Sequence, residues 1–314
     1  MATKALISII IPIYNRAGIV KTTLDSVANQ SLRPLDVILV DNNSTDNTLE
    51  VLNEWKKQTE SPDFKITILS ETKPGAASAR NRGLKEVETP YTMFFDSDDI
   101  MLPAHAERVA KAFKQDASLD VVGWDVDVET LEGKHTQYRF CDKDVLYNHI
   151  FHATFATQRF AARTELFKRI GGWNDSLLSW NDYELGIRIL LTNPKIKRLS
   201  GEASVEVVLQ RESITGTNFS SKPQHWEASL DAIDIVLSQH KCFSMKKYVD
   251  VRRAILAGFY QQEGAVNDAQ RLLDEVMSRS GWYRRMVMKL FYKIISRGGR
   301  GIALLARPML WFTK

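Results

Sequence analysis

The sequence predicts an α/β fold built on a mainly parallel sheet flanked by helices. Three observations carry this. Four short stretches are too uniformly apolar for half-exposed strands and read as strands buried on both faces. Helical spacing follows each of them, which is the alternation that parallel sheets require. Polar residues then cluster where the apolar stretches end, the rim at which such sheets bind ligands.

In order, "ALISIIIPIY" (5–14) is the first buried strand. Val20, Leu24, Val27 and Ala28 then recur at helical spacing. "LDVILVD" (35–41) is the second strand; "NNSTDNT" (42–48) supplies turn and N-cap residues, and Leu49, Leu52 and Trp55 continue as a helix. "FKITIL" (64–69) is the third strand, and "GAASARNRGLKEV" (75–87) is a helix opened by Pro74-Gly75. "YTMFF" (91–95) is the fourth strand, with a helix over 103–116. From about 119 the segments are shorter and mixed. "LDVVGWDVDVET" and "KHTQYRF" form a hairpin about Glu132-Gly133, a helix spans 180–191, and "ASVEVVLQ" (203–210) is a strand. Beyond about 222 the chain reads as all-helical. The expected division is 1–220 as a catalytic domain (1–118 a Rossmann-like nucleotide-binding half, 119–220 an acceptor half), 221–280 as a helical extension and 281–314 as a basic tail.

Composition narrows the function classes. The 314 residues are 44% hydrophobic, enough for a sizeable core. Two cysteines, Cys141 and Cys242, offer neither a disulfide framework nor a thiolate metal site, so a reducing, cytoplasmic setting is expected. The six histidines include no zinc-type pair. No small-residue cleavage site follows the apolar N-terminal run, and no run approaches the ~18–20 residues that span a bilayer. Net charge is +4, yet residues 281–314 hold eight Lys or Arg and no Asp or Glu. That asymmetry points to an anionic partner for the tail, with nothing indicating nucleic acid.

Two motifs on the rim carry chemistry. In "FFDSDD" (94–99), two carboxylates one residue apart at a strand end suit Mg²⁺ or Mn²⁺, which take one or two carboxylates and fill the rest with water and phosphate oxygens. Asp99 reads as the cap of the next helix. In "KPGAASARNRGL" (73–84), Gly75 and the small residues let backbone approach a ligand at a helix N-terminus, and one of Arg80 and Arg82 faces it. No GxGxxG follows the first strand and no Walker A sequence occurs, so dinucleotide and P-loop chemistry are disfavoured.

Taken in order, "SIIIPIYNRAGIVKTTLDSVANQSLRPLDVILVDNNSTDNT", "KPGAASARNRGL", "FFDSDD" and "GGWNDSLLSWNDYELGIRIL" (171–190) closely resemble the family 2 glycosyltransferases of GT-A fold, over roughly the first 215 residues. The resemblance implies an inverting, metal-dependent enzyme that moves a sugar from a nucleotide-sugar, UDP-linked, to a hydroxyl on a saccharide or lipid-linked saccharide. Cell-surface polysaccharide or glycolipid synthesis is the implied setting. It further implies that Pro12, Tyr14 and Asn15 line the nucleotide pocket, that Asp41 accepts the uracil N–H, and that Asn43 or Ser44 lies near it. Lys73, Gly75 and Arg80 would sit near the nucleotide or diphosphate, with Arg211 reaching the diphosphate from a later loop. Asp96, with Ser97 beside it, would contact the ribose or metal, and Asp98 would hold the metal. Asp182 matches the family's base, where Asn181 departs from the usual Glu-Asp pair. Glu184 is a rival base two residues on, and Trp173 and Trp180 are candidates for stacking on a sugar. The N-cap of a helix starting near Tyr183 is the plain structural alternative for Asn181-Asp182. Two other functions compete: a non-catalytic nucleotide-sugar-binding protein of the same fold, and a nucleotidylyltransferase, whose Gly-rich loop after the first strand "IPIYNRAG" does not supply.

In the tail, Met286, Leu290, Ile294, Val287, Phe291 and Ile295 share one broad helical face, while Arg285, Lys289, Lys293 and Ser296 fall on the other and Arg284 is off-pattern. A basic amphipathic helix without acids is expected to lie on an anionic membrane surface, peripheral on the inner face of the cell membrane.

Overall fold

The computed structural model describes residues 4–131, 133–209 and 218–313. They form two compact units, one from 1–145 and 154–213 and the other from 146–153 and 214–314.

The first unit contains strands β1 (Ile7–Ile13), β2 (Leu35–Asp41), β3 (Phe64–Ser70), β4 (Tyr91–Phe94), β5 (Ile100–Met101), β6 (Val121–Gly123), β7 (Val126–Glu129), β8 (His135–Tyr138), β9 (Phe160–Arg163), β10 (Ile196–Arg198) and β11 (Val205–Val208). Its helices are α1 (Val20–Ala28), α2 (Thr48–Thr59), α3 (Ala76–Lys85), α4 (His105–Gln115), α6 (Thr164–Arg169) and α7 (Asn181–Leu190); α5 (Val145–His152) lies almost wholly in the other unit. Seven strands form one sheet in the order β10-β6-β9-β4-β1-β2-β3. Strands β4, β1, β2 and β3 are mutually parallel, as are β10 and β6, and β9 runs against both of its neighbours. A smaller sheet has the order β5-β11-β7-β8, and its β7–β8 hairpin pairs Glu129 with His135 around a turn whose Glu132 lies outside the described residues.

β1 explains why its sequence lacks alternation. Ile7, Ile9, Ile11 and Ile13 enter a core with Leu24, Val27 and Trp55, while Ile10 enters the opposite core with Ile38, Val40 and Phe94. Each fully buried Ile contributes about 1.5–3 kcal/mol, so both faces help to fix the register. The small residues of α3 serve the sheet as well. Ala77 and Ala79 belong to the second core, and a Cβ on Gly83 would lie 2.6 Å from Cγ2 of Ile10. The sequence had assigned this smallness to ligand approach; close helix–sheet packing accounts for most of it. Because β1, β2 and β4 are parallel, Tyr14-Asn15, Asp41-Asn42 and Asp96-Ser97-Asp98 emerge at one rim.

The second unit is helical: α5, α8 (Pro223–Gln239), α9 (Phe243–Gln262), α10 (Val266–Ser278), α11 (Trp282–Ser296) and α12 (Ile302–Leu310). Here α11 departs from the sequence expectation. Val287, Met288, Phe291 and Ile295 are buried, whereas Met286 and Leu290 are exposed. Gly258 of α9 permits this packing, since a Cβ there would come 2.7 Å from Ile295 Cβ. Arg284, off-pattern on the amphipathic wheel, reaches Asp250 of α9 at 2.6 Å. Asp250 also meets Arg279 at 3.0 Å, and the buried Arg253 bonds Asp231 and Asp234 at 2.6 and 2.7 Å. No described helix is long and apolar enough to cross a membrane.

Candidate active site

The turns after β1 and β2 interlock. Asn15 and Asn43 adopt left-handed backbone (φ 50° and 61°), which asparagine tolerates better than other side-chain-bearing residues. The Asn15 amide donates to Ser44 Oγ at 3.0 Å, and Asn15 Oδ1 accepts from the Thr45 amide at 2.8 Å. Asp46 rather than Asn47 satisfies the start of α2, its Oδ1 accepting from the Thr48 amide at 3.0 Å. Pro12 is buried within β1, and Tyr14 beside it is exposed. Asp41 is 5% exposed. Its Oδ2 accepts from the Ser44 amide at 3.3 Å, and its buried Oδ1 has no partner among the described residues. Such an acceptor is costly unless a ligand donor meets it.

Asn42 positions the loop before α3, a role that its sequence context alone does not assign. Its Nδ2 donates to the Glu71 and Lys73 carbonyls at 2.9 and 2.8 Å, and its Oδ1 accepts from the Gly75 amide at 2.8 Å. Gly75, at φ 117°, occupies a conformation that side chains rarely adopt and opens α3. Lys73 pairs with Asp175 at 2.7 Å. The available signal for Asn42 was position: it is the first polar residue after a two-faced buried strand.

The acidic cluster is divided by its arginines. Arg80, 5% exposed, donates from Nη2 to Asp96 Oδ1 at 2.7 Å and from Nη1 to Asn181 Oδ1 at 3.3 Å. Its guanidinium lies 4.4 Å from the centroid of the Trp173 ring. Arg82 points elsewhere and pairs with Glu86. Arg16 faces Asp98 at 3.9 Å. Burial, then the charge of Asp96, push the Asp98 carboxyl up from its ordinary range, and Arg16 opposes them. Ser97, between the two acids, is buried. Asp99 is not a helix cap. It is 2% exposed, accepts from the Val208 amide of β11 at 3.3 Å, and is pushed well up by burial and by Asp96 and Asp98. That leaves Asp96 and Asp98 as the pair of hard oxygen donors at the rim. Their mutual repulsion is only partly offset by arginine, and among the described residues no group of three or more His, Cys, Asp or Glu side chains gathers as a metal site.

α7 delivers the third carboxylate. Trp180 precedes it in left-handed conformation (φ 48°), and the helix starts at Asn181 rather than near Tyr183, so Asn181 and Asp182 lie within its first turn. Burial pushes the Asp182 carboxyl up, and the Arg80 cation holds it partly down. Glu184 is engaged elsewhere. It is 2% exposed and takes a two-pronged bond from Arg188, Nε at 2.7 Å and Nη2 at 2.8 Å. Arg188 also donates to the Ile170 and Gly172 carbonyls, so this pair anchors the loop before α7. Asn81 clips the same loop, exchanging 2.8 Å bonds with the Trp173 amide and carbonyl. Gly172, at φ 69°, must lack a side chain there, because a Cβ would lie 2.5 Å from Asn81 Oδ1. Trp173, 2% exposed beneath Arg80 and edge-on to Phe94, is core and unavailable for sugar stacking. Trp180 is half-buried and packs edge-on against Tyr183. Arg211 lies outside the described residues.

Comparison with known proteins gives this arrangement its context. The profile of glycosyl transferase family 2 matches residues 8–171. A chondroitin synthase of Pasteurella multocida is 38% identical over 117 residues, 37% of this chain and 12% of that protein. Three sequence relatives, this one among them, are spanned over only 12% to 62% of their length. Among solved structures, S. aureus TarS 1-349 in complex with UDP matches with a TM-score of 0.59 at 19% identity, covering 97% of this chain and 88% of that one. A mannosyltransferase from Pyrobaculum calidifontis, in complex with GDP-Man and Mn²⁺, matches at 0.56 and 19%, covering 98% and 88%. The likeness to TarS is one of fold, GT-A-like, with an α/β sheet region and a helical C-terminal region.

Proposed function

The chain belongs to glycosyl transferase family 2, and from that premise we propose an inverting glycosyltransferase that uses a UDP-linked sugar and a hydroxyl acceptor. The observation that carries the reading is Arg80. One buried guanidinium bonds both Asp96 just after β4 and Asn181 at the start of α7, and its charge also acts on the neighbouring Asp182, so the donor-side acid and the acceptor-side carboxylate belong to one constellation.

In this reading Asp41 Oδ1 accepts the base N–H, and Pro12, Tyr14, Asn15 and Asn43 wall the pocket. Lys73 and Gly75 border the diphosphate. Asp96 and Asp98 hold Mn²⁺ or Mg²⁺, which when bound supplies Lewis-acid stabilisation of the leaving diphosphate. The pair fits that role by donor type, and Mn²⁺ in the mannosyltransferase complex supports it. Asp182 takes the proton of the acceptor hydroxyl as its oxygen bonds to the anomeric carbon; the bond to the diphosphate breaks, and the nucleoside diphosphate leaves with that electron pair. A carboxylate raised from its ordinary range is a stronger base than a solvated one, and the burial of Asp182 supplies that environment. The donor-binding half is 1–118, the acceptor half 119–220 and the helical extension 221–280. The acceptor is a saccharide or lipid-linked saccharide in cell-surface polysaccharide or glycolipid synthesis, met at the inner face of the membrane, to which 281–314 attaches.

The test is a screen of UDP-, GDP- and dTDP-sugars read by nucleotide release, run beside Asp182→Asn. The variant is expected to keep UDP affinity while transfer falls by about 10²–10⁴. UDP-sugar binding without turnover by the wild type would favour a non-catalytic binding protein. An active Asp182→Asn would remove the base assignment.

A further inference from the structure

We infer that the outward faces of α11 and α12 together form a docking surface for an anionic lipid bilayer, and that the apolar stripe expected to insert is not the one that does. The inference rests on the membrane reading above and identifies its surface. The stripe Val287–Phe291–Ile295 is buried inside the helical unit and cannot meet lipid. What α11 turns outward is Trp282, Arg285, Met286, Lys289, Leu290 and Lys293, which line an open concavity of about 470 Å³.

The chemistry of that strip selects its partner. Three cations alternate with Trp282, Met286 and Leu290, which are 79%, 52% and 42% exposed. No acid occurs anywhere in 281–314, so nothing within this segment neutralises them. A protein-binding core would deplete charge and concentrate apolar surface. Cations interleaved with Trp, Met and Leu instead match the boundary where headgroup phosphates meet acyl chains. α11, 15 residues, is about 22 Å long and lies along such a surface rather than through it. α12 packs beside it and adds a second anchor. Its Ile302, Ala306 and Leu310 are buried, while Leu304 and Trp311, seven residues apart, point away from that face. Leu304 is 82% and Phe312 89% exposed. Lys247 of α9 donates a 2.6 Å bond to the Thr313 carbonyl, tying this segment to the helical unit.

The experiment uses the full chain and vesicles of phosphatidylcholine with or without phosphatidylglycerol, read by co-sedimentation. Wild type is expected to bind the anionic vesicles, to be released by high salt, and to ignore pure phosphatidylcholine. Lys289→Gln with Lys293→Gln should weaken partitioning on the order of thirtyfold, at about a kcal/mol per cation. Trp282→Ala with Trp311→Ala and Phe312→Ala should weaken it without altering its salt dependence. Both variants change exposed side chains and should keep UDP binding and melting temperature. Amide exchange across 282–293 and 304–312 in the wild type should slow on vesicles, a readout independent of any variant. Wild-type partitioning by both variants would overturn the surface while leaving the membrane reading intact. Wild type that ignores anionic vesicles would overturn the membrane reading itself. Release by inorganic phosphate at matched ionic strength would show a free-anion site, and self-association lost in the tryptophan variant would show a second copy as partner; either result overturns the proposal.

Discussion

Arg80→Met separates a catalytic constellation from a merely structural one. Methionine keeps much of the volume stacked on Trp173 but removes the charge. The lost bond to Asp96 is charge-assisted, a class worth about 1.5–3 kcal/mol, and the stacked cation adds about 0.5–2 kcal/mol. The Asp96 side chain is 30% exposed, so water recovers part of this, leaving a destabilisation of about 2–3 kcal/mol. In a unit of some 200 residues that lowers the melting temperature by roughly 4–12 °C. The discriminating readout is the pH–rate profile. Asp182 must be ionised to accept a proton, burial already raises its carboxyl, and Arg80 is the cation that lowers it. Without Arg80 the carboxyl rises further, so activity disappears at a higher pH on descending through the acid limb. The acid limb of kcat should therefore move to higher pH, while the fall in rate at alkaline pH is smaller. A variant with the expected loss of melting temperature but an unmoved acid limb would refute the electrostatic link between Arg80 and the base.

Asp98→Ala should abolish transfer and Asp96→Ala nearly so, since a metal at a developing charge supplies several kcal/mol; full turnover by native protein after EDTA treatment would end the metal assignment. Glu184→Gln should lose about 2 kcal/mol of stability, the scale of a charge-assisted bond to Arg188, yet retain most of kcat at temperatures where it is folded. A folded but inactive Glu184→Gln beside an active Asp182→Asn would transfer the base role to Glu184.

The polar rim was legible because parallel strands buried on both faces leave unbroken apolar runs, and what ends such a run must be polar for a reason. Asp41, Asp96 and Asp98 could be placed on that rim in this way. Asp99 could not be assigned, because its partner, the Val208 amide, belongs to a strand more than a hundred residues on. Strands of two to four residues such as β5 and β9, and the six-residue α6, carry too little periodicity to announce themselves. The choice between Arg80 and Arg82 was likewise tertiary. Both suit a helix, and only the loop that brings Trp173 over α3 decides which is buried.

In α11 the misleading signal and the correct one stood side by side. An apolar stripe two residues wide fits a helix that inserts and a helix that packs, so width alone could not choose. Arg284 could. A helix whose apolar stripe met only lipid would gain nothing from a cation within it, whereas a packed helix can hold one against a buried acid, which here is Asp250. The off-pattern residue was thus evidence that the stripe faces protein. The same reasoning decides how the tail must be probed. Val287, Met288, Phe291 and Ile295 each contribute about 1.5–3 kcal/mol by burial. A chain cut after Ser280 therefore removes part of the helical unit's core along with any lipid-binding face. Loss of membrane binding in that truncation would not distinguish the two, and only substitutions confined to the outward strip can.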